Sequence, residues 1–371
     1  MEDRTLLIAQ FSAGMMDEGE FHYRNYAPGF AMSRHSGVHV VSLSPRDTVR
    51  EGLLDAADIA VLHMVYDLDF VPWIEYRRRH GKATVYEISD DIDSVSGWPP
   101  LDESFASLRT VMKRLAKESD AVQFASETLS SRFSYLNACL DVFTNQMLVI
   151  PPMRRVQRGP EVVIGWGGSL THLQDLAELA GPLIAWMAAR DDVKLHLMAA
   201  DPIWDLFAAI PSGRKKRFPT GSISDYYSFI DSLDVGIGPL RDTRFNRART
   251  DVKYLEYAAR GVVAIMQATG PYCSSVIPGV TGFLYEDAVQ LVELLDQVTR
   301  DLRLRVRIVT AARDYVERER HQFHHSARRL EFYKSLLHNP GAGPGRGLFE
   351  TLAQTEGALA QGRYLLLPPR L

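Results

Sequence analysis

The sequence predicts an α/β chain built as two successive doubly wound units, and three observations carry that prediction. Short apolar runs rich in Val, Ile and Leu recur along the chain. Segments with helical apolar spacing lie between them. The alternation breaks once, at a proline-containing stretch, and then resumes. At 371 residues there is chain enough for two domains, on the usual scale of roughly 100–200 residues each.

In the first half the apolar runs 6–11, 38–43, 59–62, 83–88, 121–124 and 148–150 read as buried strands. Residues 23–34, 70–79, 104–117 and 127–136 read as the helices between them. Strands joined through helices imply βαβ units and a mostly parallel sheet, because parallel neighbours need a crossover connection. Pro151-Pro152 and the polar RRVQRGP that follows interrupt the pattern and place a domain boundary there, with 1–152 before it and 160–320 after it. The second half repeats the alternation, with strands at 162–166, 193–198, 233–237 and 262–266 and helices at 173–187 and 250–260. Residues 337–346, LHNPGAGPGR, read as a flexible linker, so 338–371 is expected to be linker and tail.

Composition narrows the function classes. Hydrophobic residues make up 46% and charged ones 24%, as in an ordinary globular chain. A net charge of −4 gives no global attraction to nucleic acid or to an anionic membrane. Cys139 and Cys273 are the two cysteines, without metal-ligand spacing, so neither a disulfide framework nor a zinc site is expected. The chain enters its first strand with acidic residues ahead of it, no signal-peptide pattern is visible, and no apolar run has the ~18 residues of a membrane span. The expectation is a cytoplasmic protein with no integral membrane segment and no nucleic-acid partner.

Ligands of open α/β sheets bind beyond the carboxyl ends of the strands, so the loops there hold the candidates. After the first strand, Ser12-Ala13-Gly14 offers a close backbone approach at Gly14, with Arg24 further on; a plain turn explains the glycine equally. After the fourth, Ser89-Asp90-Asp91-Ile92-Asp93 reads as a metal-binding DxD, as a general base or oxyanion-type polar group, or as a capping cluster for the next element. The run Gly165-Trp166-Gly167-Gly168-Ser169-Leu170-Thr171-His172 passes from strand to helix, where Gly167, Gly168 and Ser169 could present N–H groups and His172 could donate to a phosphate. It contains neither a P-loop nor the full dinucleotide fingerprint.

The densest candidate is the helix at 250–260. Val252, Leu255 and Ala259 recur at i, i+3 and i+7 and face a core. Arg249, Lys253 and Glu256 recur at i, i+4 and i+7 on another face, with Arg247 just before them and Thr250 as N-cap. Two cations beside a helix start suit a diphosphate, and a carboxylate further along suits sugar hydroxyls. A solvated helix face with charge pairs is the alternative.

The stretches VVIGWGGSLTHLQDL, DVGIGPLRDTRFNRARTDVKYLEYAARG and GPY…GVTGFLY, in that order over about 162–285, resemble the C-terminal domain of retaining nucleotide-sugar glycosyltransferases of the GT-B fold. They are similar to the group-1, family-4-like branch with the pattern FN-x-x-[KR]-[ST]-x-x-K-x-x-E-Y. The resemblance implies two Rossmann-like domains facing across a cleft, an acceptor side at 1–152, a donor domain at 160–320, and a closing helix at 321–337 that packs back toward the first. Glu256 matches the second Glu of the family's E-x7-E motif, which holds the donor ribose, whereas the first Glu falls at Ala248 and is missing. The usual basic clamp after the first strand of that domain is also missing, so Arg249 and Lys253, with Arg247 nearby, are expected to carry the charge. Many members have a His where this chain has Asp90.

On this resemblance the expected activity is transfer of a sugar from a nucleoside-diphosphate donor, UDP favoured, to an unnamed acceptor with retention, needing no metal or cofactor. Asp90, Asp91, Arg249 and Lys253 form the catalytic set. Gly14, Gly167, Gly168, Ser169, His172, Arg247, Thr250 and Glu256 bind the donor. Tyr66, Phe70, Trp73 and Trp98 form either a stacking acceptor surface or core. The rival readings are an epimerase or phosphorylase on the same fold, and a degenerate, non-catalytic nucleotide binder.

Overall fold

The computed structural model describes residues 5–14, 18–94, 103–153, 161–337 and the strand Leu365–Leu366. Trp98, the 154–160 part of the proline-marked break and most of the linker lie outside the described residues. The chain divides into two compact units, Met1–Leu148 with Gln322–Leu371, and Val149–His321.

The first unit is a parallel sheet of β1 (Leu6–Ser12), β2 (Val38–Leu43), β3 (Ile59–His63), β4 (Ala83–Ile88), β5 (Ala121–Phe124) and β6 (Leu140–Val142), in the order β2-β1-β3-β4-β5-β6. The helical connections are α1 (Gly19–Phe21) and α2 (Ala27–Met32), fused through a π turn at His22–Tyr26, then α3 (Arg50–Ala56), α4 (Phe70–Arg79), α5 (Glu103–Glu118) and α6 (Glu127–Phe133). All of β1, β3 and β4 is buried, which is why these strands read as continuous apolar runs rather than alternating ones. The strand expected at 148–150 does not form. Met147 instead meets the returning chain, accepting from the Gln322 N–H at 2.9 Å, and the sixth strand is Leu140–Val142.

The second unit holds β7 (Val162–Gly167), β8 (Val193–Met198), β9 (Lys215–Phe218), β10 (Val235–Gly238), β11 (Val263–Gln267) and β12 (Phe283–Tyr285), all parallel, in the order β12-β11-β10-β7-β8-β9. Renumbered within the unit, this is the 3-2-1-4-5-6 order of a dinucleotide-type Rossmann sheet, with its topological switch between β7 and β10. Its helices are α7 (Leu173–Ala188), α8 (Asp201–Asp205), α9 (Ile223–Ile230), α10 (Val252–Ala259), α11 (Tyr272–Ser275), α12 (Ala288–Arg300) and α13 (Leu302–Glu319). One core joins Ile164, Trp166, Leu195, Val235 and Ile265 of the sheet to Leu176, Leu183, Leu295 and Ile308 of the helices.

The last described helix, α14 (Ser326–Ser335), belongs to the first unit, where Leu330, Tyr333 and Leu336 pack with Leu6, Ile8, Val38 and Ile59. Strand β13 (Leu365–Leu366) adds antiparallel to the β2 edge. Among the described residues no helix is long and apolar enough to cross a membrane.

Candidate functional site

In the second unit the switch point gathers the loop after β7 and the segment from the end of β10 into α10. The loop runs through a 3-10 turn, Leu170–His172, into α7. Gly167 ends β7 under two aromatic rings: a Cβ there would lie 2.7 Å from the Phe229 ring and 2.9 Å from that of Tyr226. Only hydrogen fits that space.

Helix α10 begins at Val252 with Asp251, not Thr250, as N-cap. The Asp251 side chain caps nothing. It is drawn away into a buried pairing with Arg320, 3.0 Å to one oxygen, and a hydrogen bond from Ser275. Leu255 and Ala259 are buried as their spacing implies. The other face is not a solvated one, since Glu256 is only 4% exposed. Lys253 Nζ donates to the Gly167 carbonyl at 2.5 Å and meets the Tyr226 hydroxyl at 3.1 Å, and that hydroxyl donates to Glu256 Oε2 at 3.1 Å. The ammonium also lies 5.3 Å from the Trp166 ring centroid and 5.5 Å from that of Tyr226, within cation–π range. Burial lowers the Lys253 pKa to about 8 even though the Glu256 charge raises it.

Arg249 reaches the same place from the loop before α10. Its Nη1 lies 2.7 Å from His172 Nε2, its Nε is buried with no hydrogen-bond partner, and its guanidinium covers the Phe245 ring at 4.9 Å. His172 Nδ1 is 2.8 Å from Asp175 Oδ2 on α7. Burial pushes the imidazole down to about 4, against the Asp175 hydrogen bond and with the Arg249 and Lys253 charges, so the ring is neutral at pH 7. Neighbouring cations are neutralised on the spot: Arg241 by Glu178, Arg247 by Asp242 and Arg260 by Asp231. Among the described residues, Arg249 and Lys253 have no such carboxylate partner.

Gly167, His172, Arg249, Lys253 and Glu256 are therefore brought together, and three sequence-based roles change. Gly168 does not offer its N–H, which donates to the Met198 carbonyl at 3.1 Å as the sheet continues. His172 does not present a proton to a ligand, because both ring nitrogens are engaged inside the protein. Arg247 points to the surface and pairs with Asp242 outside the cluster. Ser169 is exposed beside it, 2.7 Å from the Thr171 hydroxyl, and Thr250 is half-buried just before the cap. Tyr226 and Asp175 were not singled out from the sequence, which carries no spacing signal linking them to α10.

The first unit gathers polar groups at its own switch point, between β1 and β3. Ser12 Oγ lies 3.0 Å from His63 Nδ1, and His63 Nε2 lies 3.0 Å from Ser89 Oγ and 3.3 Å from Glu20 Oε1. Ser89 Oγ donates to Glu20 at 2.8 Å. His63 is fully buried, while the Glu20 side chain keeps 40% of its surface. Met64, next to His63, has φ 51°, a left-handed conformation unusual outside glycine. Gly14 closes the turn after β1, its N–H donating to Ser12 Oγ at 3.2 Å. Arg24 is buried, pairs with Glu87 and donates to the Phe143 carbonyl at 2.8 Å.

The acidic loop after β4 does not act as expected for Asp91. That residue is fully buried, paired with Arg132 at 2.5 Å, and its other oxygen accepts the Asp93 N–H at 3.0 Å. Asp93 pairs with Lys113 at 2.7 Å, so the DxD reading loses both carboxylates to protein cations. Asp90 is half-buried. Among the described residues no group of three or more His, Cys, Asp or Glu side chains is arranged to hold a metal. The stacking surface is also divided: Phe70 is core, edge-on to Phe11 at 5.5 Å, and Trp73 packs on Tyr76. Tyr66 instead lines a cavity of about 480 Å³ with Ala13, Ser44, Arg46, Leu68 and Val111.

Comparison with known proteins places this geometry. A family model described as "Glycosyl transferase-like" matches residues 183–331, less than half of the chain. No curated protein sequence matches. Among solved structures, Anabaena HepE in complex with UDP-glucose is 13% identical, covers 89% of this chain and 100% of its own, and superposes with a TM-score of 0.63. A glycosyltransferase from Rickettsia africae is 13% identical over 90% of this chain and 99% of its own, with a TM-score of 0.63. Sucrose-phosphate synthase from Thermosynechococcus elongatus is 15% identical over 89% and 99%, with a TM-score of 0.61. With two Rossmann-like sheets, the chain has the GT-B fold.

Proposed function

We propose that the protein transfers a sugar from a nucleoside-diphosphate donor, UDP favoured, to a hydroxyl acceptor, with retention of anomeric configuration and without a metal ion. One observation carries the reading: at the switch point of the second unit, Arg249 and Lys253 are cations with no carboxylate partner among the described residues, and Glu256 stands one turn from Lys253. That is the charge pattern of a nucleoside diphosphate in reverse, positive for the phosphates and negative for the ribose hydroxyls. The match to a glycosyl transferase-like model and the UDP-glucose held by HepE support it.

In the reaction the bond from the anomeric carbon to the β-phosphate oxygen breaks, and its electron pair leaves with the diphosphate. The acceptor oxygen forms the new bond on the same face, and its proton departs with the phosphate. Arg249 and Lys253 meet the charge that develops on the leaving group, Glu256 fixes the ribose, and Gly167 and Ser169 line the donor. The acceptor side falls to the first unit. Asp91 is spent on Arg132, whereas Glu20, which meets His63 and Ser89, keeps an exposed carboxylate for a hydroxyl.

Release of free nucleoside diphosphate from UDP-, GDP-, TDP- and ADP-sugars tests the proposal. One donor should be discharged, slowly to water and faster with an acceptor. Binding with no discharge under any condition would leave a non-catalytic nucleotide binder, and isomerisation of the donor would leave an epimerase.

A further inference from the structure

Arg249 is held by a neutral imidazole nitrogen, as Lys253 is held by the neutral Gly167 carbonyl and Tyr226 hydroxyl. A guanidinium Nη carries only protons, so at 2.7 Å the His172 Nε2 must offer its lone pair. The ring proton is then on Nδ1, donated to Asp175 Oδ2 at 2.8 Å. Asp175 is itself fixed, because its Oδ1 accepts the Arg241 N–H at 3.0 Å and the Asn246 amide at 3.3 Å, both from the loop that leads to Arg249. Asp175 and His172 thus key the turn after β7 to the loop after β10. The ring also packs edge-on to Trp166, with centroids 5.6 Å apart. A carboxylate in place of the imidazole would hold Arg249 as firmly but cancel its charge. A neutral acceptor fixes the guanidinium and leaves the charge for a ligand.

We propose that His172, set in its Nδ1–H tautomer by Asp175, is a positioning residue that holds the Arg249 guanidinium for the donor diphosphate. The proposal rests on the donor-site reading above and replaces any direct role of His172 as a phosphate donor. It separates two properties of the side chain, the acceptor nitrogen and the ring, and substitutions can separate them as well. His172→Phe keeps the ring against Trp166 and removes the acceptor. His172→Gln keeps an acceptor oxygen and removes the ring.

The test is UDP affinity by calorimetry on the full chain, with folding of each variant checked by thermal melting, together with long-range ¹H–¹⁵N spectra of the wild-type histidines. The expected result is a loss of tenfold or more in the Phe variant, recovery of most of that loss in the Gln variant, and a His172 spectrum with Nδ1 protonated and Nε2 bare. UDP affinity unchanged in the Phe variant would overturn the proposal alone, leaving the donor site intact, as would an equal loss in both folded variants or an Nε2–H tautomer. Failure of the wild-type protein to bind any nucleoside diphosphate, with the tautomer as expected, would sink the donor-site reading and this proposal with it.

Discussion

Lys253→Met makes the cost of the site measurable. The ammonium has a pKa of about 8 in the folded protein against 10.5 for the free group. At about 1.4 kcal/mol per pKa unit, holding it charged at neutral pH costs on the order of 3 kcal/mol. Methionine, however, leaves the Gly167 carbonyl and the Tyr226 hydroxyl without this partner, which costs roughly 1–2 kcal/mol. Methionine fills similar volume without the charge, so the variant should be as stable as the wild type at pH 7, or more so by about 1 kcal/mol. The pH dependence has a defined sign. Between about 8 and 10.5 the unfolded chain binds more protons at this position than the folded one, so the wild type gains stability as pH rises through that window, and below it the cost is constant. Urea unfolding of both proteins at pH 7 and pH 10 should show the wild type gaining about 2–3 kcal/mol relative to the Met variant. Turnover should fall about 10²-fold or more in the same variant if Lys253 faces the leaving phosphate as proposed. Parallel stability profiles for the two proteins, or full activity in a folded Lys253→Met, would refute the reasoning.

If Arg249 and Lys253 take the role of a divalent ion, as proposed, donor discharge should persist in excess chelator; complete loss restored by magnesium or manganese would contradict that. Glu20→Gln should lower turnover with acceptor while leaving UDP affinity within about twofold, and a matching loss of UDP binding would remove Glu20 from the acceptor side. Gly167→Ala forces a methyl group against the Phe229 and Tyr226 rings, so it should destabilise the protein by about 1–3 kcal/mol and displace Tyr226 from Lys253. An alanine variant with unchanged melting temperature and UDP affinity would show that the rings yield freely.

The fold was legible where strands bury most of their residues. The runs at 38–43, 83–88, 121–124 and 193–198 stand as strands at the bounds their apolar content implied. Edge strands were not: β9 is Lys-Lys-Arg-Phe, whose charges suit an outer strand but carry no apolar signal, and β6 and β12 are three residues each. The run at 148–150 is apolar enough for a strand, yet Val149 is 59% exposed and the chain there is leaving one unit for the other's sequence. Within the site, Lys253 and Glu256 were visible because one helix spaces them, and Arg249 because it lies just before that helix in sequence. Their partners were not, because they come from other elements. Tyr226 lies 27 residues before Lys253, and His172 lies 77 before Arg249. In the first unit, Ser12 and His63 are 51 residues apart and meet only because β1 and β3 are neighbours in register. Asp91 shows the converse error: an acidic cluster at a strand end looked like chemistry and is a buried ion pair.

The central claim is that the second unit holds a nucleoside diphosphate on Arg249, Lys253 and Glu256, and melting with a panel of UDP, GDP, TDP, ADP and CDP tests it most directly. A ligand at a hundredfold excess over Kd stabilises the folded state by about 2.7 kcal/mol, which is a shift of several degrees at roughly 2–4 °C per kcal/mol for a domain of this size. The account predicts one clear responder, UDP, whose effect disappears in Glu256→Ala and in Lys253→Ala. No shift with any of the five, or a shift that survives both substitutions, would contradict it.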